Sequence, residues 1–544
     1  MKKASGLFLF ALALVVLVGG VNVQADEKTD LLRLKNTTLN LIDALVEQGV
    51  LNREQADKLI ANAEQKAKEQ TQREEREAVK PPRNVVRVPY VPAFVRDEIK
   101  QQVEADMREK VVKDVMVQAK QERWGVPDAL PGWISRIKFK GDIRLREEDD
   151  LFGSDNTLAS HIDYQRYNDT GKVALLNTVE DRLRTRLRLR LGIDAKVTSN
   201  LKTGIRFATG SFKNPVSTNQ TLGNSNSPGR LVLDRAYLQY QGRDAHGYNW
   251  MTLTGGRMPN PWFSTDLVWD KDLNFDGVSG TLRHKLNKQD MALFATLGAF
   301  SLQEVKLSDK DKWLFGGQLG FRKRFGDQSS FRIGVAYYNY VNITGRKNTL
   351  DSTLRDYTAP DFLQKGNSLF EISNNSSGEQ TRFGLASDYD IIDVTARYDL
   401  ARFAPVHWII TGSYVRNIAY DVGEIRKRTN GLMIVNSTDS LEDPSRKKTN
   451  GYLLKLTTGW PTTHKRGSWQ TSMTYRYLER DAVLDAFTDS DFLLGGTNSK
   501  GWILGAAYGM TNDTWLKLRY LTADAINGPR LGVDVLQLDL NAKF

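Results

Sequence analysis

The stretch RLRTRLRLRL at residues 182–191 limits the fold of this chain more than any other part of its sequence. On an α-helix, which turns by about 100° per residue, its arginines would be spread around the whole circumference. On a β-strand, the five arginines share one face, and four leucines with Thr185 share the other. Because a dry core cannot hold five unpaired guanidinium groups, one face must meet water and the other an apolar phase.

An apolar run near the first residue indicates export. Only 40% of the 544 residues are hydrophobic, which excludes a polytopic helical membrane protein. Lys2 and Lys3 precede the apolar segment Leu7–Val18, and Val23-Gln24-Ala25 provides a small-residue cleavage pattern. The pattern predicts a signal peptide over residues 1–25. A retained membrane anchor is the alternative, which the short apolar core disfavours.

The cysteine content and the net charge of the chain limit its possible cell compartment and binding partners. The chain has no cysteine and a formal net charge of +11. The absence of cysteine excludes a lipobox acyl anchor, a disulfide framework and thiolate metal sites, and no cofactor is expected. For an exported chain, the basic charge favours anionic solutes or lipids as partners over nucleic acid. These features together favour a bacterial envelope protein.

Helical periodicity characterises the segment after the signal peptide. Residues 26–80 are predicted as a helical hairpin or coiled-coil-like segment, with a capping box at Asn52 and Gln55 before its second helix. Residues 81–93, with four prolines, are predicted as an extended spacer. Residues 94–132 are predicted as a third helix and a linker. A strict heptad is absent, so coiled-coil assembly stays one alternative.

At about residue 133 the hydrophobic period changes from 3.6 residues to 2 residues, and it stays at 2 to the end. Sixteen such segments can be read, and tight turns such as 195–199 alternate with long polar loops such as 148–180 and 480–498. This alternation is typical of a transmembrane β-barrel. We therefore predict an all-β transmembrane barrel of about sixteen antiparallel strands over residues 133–544. An even strand count places the preceding α-helical segment on the short-turn side, in the periplasm.

Aromatic residues at strand ends indicate that the apolar phase is a bilayer. Tyr452 and Trp460 flank one apolar strand face, and Trp469 and Tyr477 flank another. Rings at both edges match the interfacial girdles of membrane barrels. The chain ends in LQLDLNAKF, an alternating strand that closes on Phe544. This ending resembles the signal that delivers bacterial outer-membrane barrels to their barrel-assembly machinery.

Three stretches resemble the bacterial "putative porin" family: LIDALVEQGVLNREQADKLI (41–60), VRVPYVPAFVRDEIKQQV (86–103) and GGRMPNPWFSTDLVWDKDLNFDGV (255–278). That family is similar in outline to the phosphate-type porins, which carry a periplasmic helical segment before a sixteen-stranded barrel. The resemblance implies an outer-membrane porin of a Gram-negative bacterium, surrounded by lipid and lipopolysaccharide, and a homotrimer. It supplies no catalytic residues.

In such a barrel the arginines of the opening stretch would line a water-filled lumen. Basic residues of one parity on the first three strands are predicted to form a cationic wall, with Asp142 as the only acid among them: Arg136, Lys138, Lys140, Arg144, Arg146, Arg182, Arg184, Arg186, Arg188, Arg190, Lys202 and Arg206. Other strands contribute further inward-facing bases: Arg235, Arg283, Arg322, Arg332, Lys455 and Arg476.

The third long loop would fold inward by analogy with known porins and form a constriction. Its acids, Asp266, Asp270, Asp272 and Asp276, would then face the basic wall and create a transverse field. We hypothesise ion transport and diffusion of small hydrophilic solutes with a weak anion preference. In the alternative hypothesis, the charges only keep the lumen hydrated and pair with acidic loops.

Other function classes have weaker support in the sequence. His407 has a hydroxyl nearby at Ser413, but six strand residues span about 20 Å, and no HExxH motif or nucleotide-binding loop occurs, so an enzyme is not expected. The acids at 147–150, with Asp155, could bind calcium or bridge lipopolysaccharide, although they fit a solvated loop equally. Two alternatives stay open: a plugged barrel that acts as a surface adhesin or receptor, and an envelope tether through the N-terminal helices.

Overall fold

The computed structural model describes residues 136–158, 161–286, 290–306, 308–376, 381–430 and 445–544. The predicted signal peptide (1–25), helical hairpin (26–80), spacer (81–93), and helix with its linker (94–132) lie outside these residues. Those four assignments therefore stay predictions.

The described chain contains nineteen strands and two short helices, numbered in chain order. The strands are β1 (Ile137–Phe152), β2 (Arg182–Lys196), β3 (Leu201–Thr209), β4 (Gln220–Thr221), β5 (Leu231–Arg243), β6 (Asn249–Pro259), β7 (Asn274–Leu286), β8 (Met291–Gln303), β9 (Lys312–Arg324), β10 (Ser330–Val341), β11 (Leu369–Glu371), β12 (Phe383–Leu385), β13 (Asp390–Leu400), β14 (His407–Asn417), β15 (Asn450–Gly459), β16 (Trp469–Leu478), β17 (Ser499–Thr511), β18 (Thr514–Ala525) and β19 (Gly532–Lys543). The helices are α1 (Tyr164–Thr170) and α2 (Val422–Arg428). Within these residues, no helix is long and apolar enough to cross a membrane.

Sixteen of these strands form one closed antiparallel barrel. Each strand pairs with its neighbours in the chain, and β1 closes the ring against β19 with a register from Asp142 opposite Lys543 to Phe152 opposite Val533. Three short strands stand outside the ring, since β4 pairs only with part of β2, and β11 and β12 form a hairpin of their own. The predicted sixteen-stranded barrel is confirmed.

The alternating pattern of the sequence separates the two faces of the barrel wall. On β2, Leu183 and Leu191 are exposed on the outer surface, whereas the Arg188 residue is only 8% exposed. The neighbouring strands also carry large apolar side chains on the outer surface, among them Ile143 and Leu145. These side chains are exposed to solvent in the isolated chain. A continuous apolar outer surface fits a lipid environment, where it would be buried.

Aromatic side chains on the outer surface gather near the strand ends. Tyr452 stacks on Tyr477 with ring centroids 5.1 Å apart, and Tyr475 packs edge-on against Trp502 at 4.8 Å. Trp469 begins β16 at the opposite rim. Trp460 lies just after the end of β15, not within its face as the sequence analysis assumed.

Long and short connections alternate around the barrel. One rim carries all the long loops, L1 (153–181), L2 (210–230), L3 (260–273), L5 (342–389), L6 (418–449) and L7 (479–498), together with two shorter connections, L4 (304–311) and L8 (526–531). Seven short turns occupy the other rim. The first loop was predicted to begin at residue 148, but β1 continues to Phe152 because residues 147–152 pair with β19.

L1 and L5 meet above the lumen at the long-loop rim. Asp163 caps α1 by accepting a hydrogen bond from the Arg166 amide at 2.9 Å. In L5, the Leu363 amide donates to the Gln165 side chain at 2.6 Å, and Phe383 packs edge-on against Tyr164 with centroids 4.7 Å apart. These contacts join L1 and L5 at the mouth of the barrel.

The seam between the first and last strands ends on a glycine–phenylalanine pair. The Gly141 amide donates to the Phe544 carbonyl at 2.7 Å, and the Phe544 amide donates back to the Gly141 carbonyl at 2.9 Å. A Cβ atom at residue 141 would overlap the Phe544 ring. The ring therefore covers the space that the missing side chain of Gly141 leaves open.

We expect Gly141→Ala to displace the Phe544 ring and weaken the seam by about 0.5–1 kcal/mol, the usual scale of a cross-strand pair. The measurement is the temperature at which the folded barrel loses its anomalous mobility on a denaturing gel. Gly255→Ala is the matched control, since a Cβ there meets only the Val278 side chain at 3.8 Å. An unchanged transition temperature for Gly141→Ala would show that the ring does not support the seam.

Candidate functional site

The predicted basic wall lies on the inner face of β1, β2 and β3, and most of it is ion-paired. Eight of the twelve residues contact carboxylates: Lys140, Arg144, Arg146, Arg184, Arg186, Arg188, Arg190 and Arg206. The other four, Arg136, Lys138, Arg182 and Lys202, form no ion pair within the described residues and lie near the strand ends.

Acids of the same parity run through the wall, so the prediction that Asp142 is its only acid is wrong. Glu148 lies 2.5 Å from Arg184 and 3.0 Å from Arg186. Asp150, on the same strand, lies 2.9 Å from Arg184. Both acids were assigned to a solvated loop, but they extend the inward face of β1. The wall is therefore a ladder of alternating charges.

L3 folds into the lumen, as its sequence analogy predicted, because its aromatic start fits a socket in the inner wall. Trp262 packs where Gly298 on β8 and Gly316 on β9 leave space, and a Cβ atom at either glycine would crowd the indole. The indole also packs edge-on against Phe300 and Tyr338, with centroids 6.1 and 5.3 Å apart. The sequence motif Asn-Pro-Trp-Phe gave no sign of this socket.

Phe263 continues the attachment of L3 to the wall. Its amide donates to the Gln318 side-chain oxygen at 2.9 Å, and the Gln318 amide group donates to the Phe263 carbonyl at 2.8 Å. The Arg332 guanidinium lies over the Phe263 ring, 4.0 Å from its centroid. These contacts fix the first turn of L3 on β9 and β10.

The four acids of the predicted constriction loop have different environments. Asp272 reaches the basic wall, with 3.4 Å to Arg190, and accepts a hydrogen bond from the Thr218 hydroxyl at 3.0 Å. Burial alone would raise the pKa of Asp272, but Lys271 and Arg188 outweigh it and lower the pKa. Asp276 belongs to β7 instead of L3 and pairs with Arg257 at 2.5 Å, so it lies apart from the wall.

Asp266 and Asp270 both accept hydrogen bonds from L7. The Asp266 carbonyl accepts a hydrogen bond from the Asp489 amide at 3.2 Å. The Asp270 carboxylate accepts one from the Ser490 amide at 3.0 Å. Burial, with the nearby Asp489 carboxylate, raises the pKa of Asp270 well above its usual value. Only Asp272 among the four therefore makes the predicted contact with the basic wall.

The space left beside the loops is lined by the wall and by L5 and L7. A cavity of about 380 Å³ has Arg184, Arg186 and Asp150 on one side and Gln364 and Lys365 on the other. A second cavity of about 500 Å³ lies between L2, L3 and L5, with an aromatic lining that includes Trp269, Phe275 and Phe487. Residues of L2 and L5 line both cavities and therefore stand between them.

A charged lumen, which L3 enters, thus lies within a barrel whose outer face is apolar. The sequence profile of the "putative porin" family matches residues 35–544. The chain belongs to this family. The match confirms the resemblance seen in the sequence, and together with the barrel it assigns this porin to the outer membrane.

Solved structures and curated sequences give a further comparison. The porin is similar to the outer membrane channel DcaP of Acinetobacter baumannii, with 14% identity, a TM-score of 0.39, and coverage of 75% of this chain and 97% of that one. It is also similar to Pseudomonas putida OprB, with 10% identity, a TM-score of 0.41, and coverage of 76% and 95%. No curated protein sequence matches the chain.

A second group of bases occupies one row of the porin wall away from the ion-paired ladder. In the register of the sheet, Arg322 lies opposite Arg332, and Arg332 lies opposite Arg397 on the next strand. Continued to both sides, the row reads Lys285, Ala292, Arg322, Arg332, Arg397, Thr411 and Lys455 on β7 to β15. No ion pair involves its five bases within the described residues. Arg397 and Lys285 were not among the predicted lumen residues, although their strand parity could have identified them.

His407 and Ser413, which were weighed as a catalytic pair and rejected on distance, have separate partners in the structure. The His407 Nδ1 atom lies 2.8 Å from Asp399, whereas the Ser413 hydroxyl donates to Asp393 at 3.2 Å. In the described part of the chain, no group of three His, Asp or Glu residues could hold a metal ion. Asp155 pairs with Arg530 at 2.9 Å.

We expect Gly316→Val to expel Trp262 from its socket and release L3 from the wall, raising single-channel conductance by roughly a factor of two. Gly317→Val is the matched control, because residue 317 faces outward and a Cβ there meets only Leu297 at 3.4 Å. Conductance in planar bilayers is the measurement. Equal conductance in both variants would contradict a role for the socket in narrowing the lumen.

Proposed function

We propose that this porin allows small hydrophilic solutes to diffuse passively through its lumen, with a weak preference for anions. The observation that carries the preference is the unpaired basic row from Lys285 to Lys455. The ladder on β1 and β2 contributes less, because its arginines already contact Glu148, Asp150, Asp142 and Asp272.

Directly opposed like charges destabilise a sheet, so three arginines side by side need a compensating interaction. Cation–π contacts hold Arg332 over Phe263 and Phe294, at 4.0 and 4.6 Å from the ring centroids. These rings fix the guanidinium without neutralising it. The row therefore keeps a positive potential that raises the local concentration of anions.

The remaining charges make this preference weak instead of absolute. Acids on the wall and on L3 and L7 place negative charge close to most arginines of the constriction. The basic row attracts a passing anion. The acids and bases of the ladder on β1 and β2 nearly cancel each other's charge. Such a lumen selects only partly between anions and cations, and the width of the lumen limits the size of the solute.

We place the predicted helical segment before the barrel in the periplasm, because sixteen strands return both barrel ends to one rim. Assembly as a homotrimer and delivery by the barrel-assembly machinery through Phe544 are further parts of the proposal. Both follow from the family resemblance and the C-terminal strand. Chemical crosslinking of the purified protein in detergent tests the trimer.

A surface receptor with a plugged barrel is the second candidate, and the contact between L1 and L5 above the lumen favours it. Swelling of liposomes that contain the purified protein distinguishes the two. We expect swelling in solutions of small sugars, because cavities of about 380 and 500 Å³ remain beside the inward loops. Liposomes that swell no faster than protein-free ones would support the receptor.

We expect Arg322→Gln to lower the anion-to-cation permeability ratio by roughly a factor of two, since it removes one unpaired charge from the row. The ratio is obtained from the reversal potential across a planar bilayer with a salt gradient. Lys427→Gln is the control, because it removes the same charge from an exposed helix, where Lys427 pairs with Glu424 at 2.6 Å. A wild-type channel that prefers cations would refute the proposed preference.

A further inference from the structure

L7 is an internal loop, although its length and polarity resemble those of the external ones. Nearly every residue from Asp481 to Ser499 is buried, including Asp485, Asp489 and Asp491. The loop connects β16 to β17 and forms hydrogen bonds with L5, where the Gln364 side chain donates to the Asp485 carbonyl at 2.7 Å. A loop that carries four buried aspartates, Asp481 among them, needs partners for these acids.

Wall arginines provide partners for two of these acids. Asp489 lies 3.6 Å from Arg476 on β16. Asp491 lies 2.6 Å from Arg519 on β18 and 3.3 Å from Arg146 on β1. L7 therefore attaches to three strands through the charges that would otherwise face the solute.

L7 also holds L3 at the end opposite the Trp262 socket. The Asp270 amide donates to the Phe487 carbonyl at 2.7 Å. The Thr488 hydroxyl donates to the carbonyls of Asp266 and Leu267, at 3.1 and 3.0 Å. These hydrogen bonds join L3 and L7 to each other inside the lumen.

The two arginines that contact Asp491 differ in what else they contact. Arg146 donates to both carboxylate oxygens of Asp539, at 2.6 and 3.0 Å, so it keeps a strong partner without L7. Arg519 has Asp491 as its one ion-pair partner within the described residues. Lys517, two residues earlier on the same strand face, forms no ion pair there.

We propose that Asp491 is a specificity-determining residue of the constriction, where it masks the charge of Arg519 and so limits the anion preference. The inference rests on the proposed pore. It means that L7, as well as L3, determines the ion selectivity. Burial alone would raise the pKa of Asp491, but Arg146 and Arg519 outweigh it and hold the pKa well below its usual range. The carboxylate is therefore charged throughout the neutral pH range.

The substitutions Asp491→Asn and Arg519→Gln should change selectivity in opposite directions. Asp491→Asn keeps the shape of the side chain and unmasks Arg519, so the anion-to-cation permeability ratio should rise by roughly twofold. Arg519→Gln leaves Asp491 with Arg146 and removes one base, so the ratio should fall below that of the wild type. Reversal potentials of the full-length protein in planar bilayers give both ratios.

Asp155→Asn is the matched control, since it makes the same charge change in an ion pair at the exposed end of L1. Its permeability ratio should equal that of the wild type. Retention of heat-modifiable mobility on a gel shows that each variant has folded, and Arg519→Gln provides the test if Asp491→Asn fails this check.

The outcomes separate this inference from the proposed function. If Asp491→Asn and Arg519→Gln both leave the ratio unchanged, or shift it in the same direction, Asp491 does not determine specificity. A wild-type preference for cations overturns the proposed anion preference alone, because the opposite shifts of the two variants are measured relative to the wild type. Absence of any conductance in the wild type overturns the pore itself.

Discussion

The need to satisfy every backbone hydrogen bond within an apolar surrounding governs this structure. A sheet with free edges would leave unpaired amides and carbonyls in lipid, at a cost of several kcal/mol for each group. Closure of β1 against β19 removes both edges, and the pair of hydrogen bonds between Gly141 and Phe544 completes the seam. Once the ring is closed, alternate residues must point inward, so the arginines of β2 enter the lumen.

The parts of the fold that depend on local pattern could be predicted from the sequence. Alternation along a strand depends only on neighbouring residues, and so the sixteen strands and the two classes of connection were found. The strand ends were less certain: β1 runs on through Glu148 and Asp150 because its partner β19, nearly 400 residues later, continues to pair with it. A strand boundary set by a distant partner leaves no local signal.

The charge pairing and the position of the loops lay beyond the sequence for the same reason. Arg190 contacts Asp272, and Arg146 contacts Asp491 and Asp539, across large separations in the chain. The Trp262 socket requires glycines on two later strands to stand side by side, which register alone decides. L3 was predicted as a constriction loop by analogy, whereas L7 had no such analogy and was predicted only as one of the long polar loops.

Because L7 lies inside the wall, its residues are shielded from bulk solvent, whereas L5 carries Leu350 and Leu354, which are 68% and 82% exposed. A substitution at these exposed positions of L5 disturbs few neighbours. A substitution in L7 disturbs contacts to three strands and to L3, so we expect L7 to tolerate fewer changes.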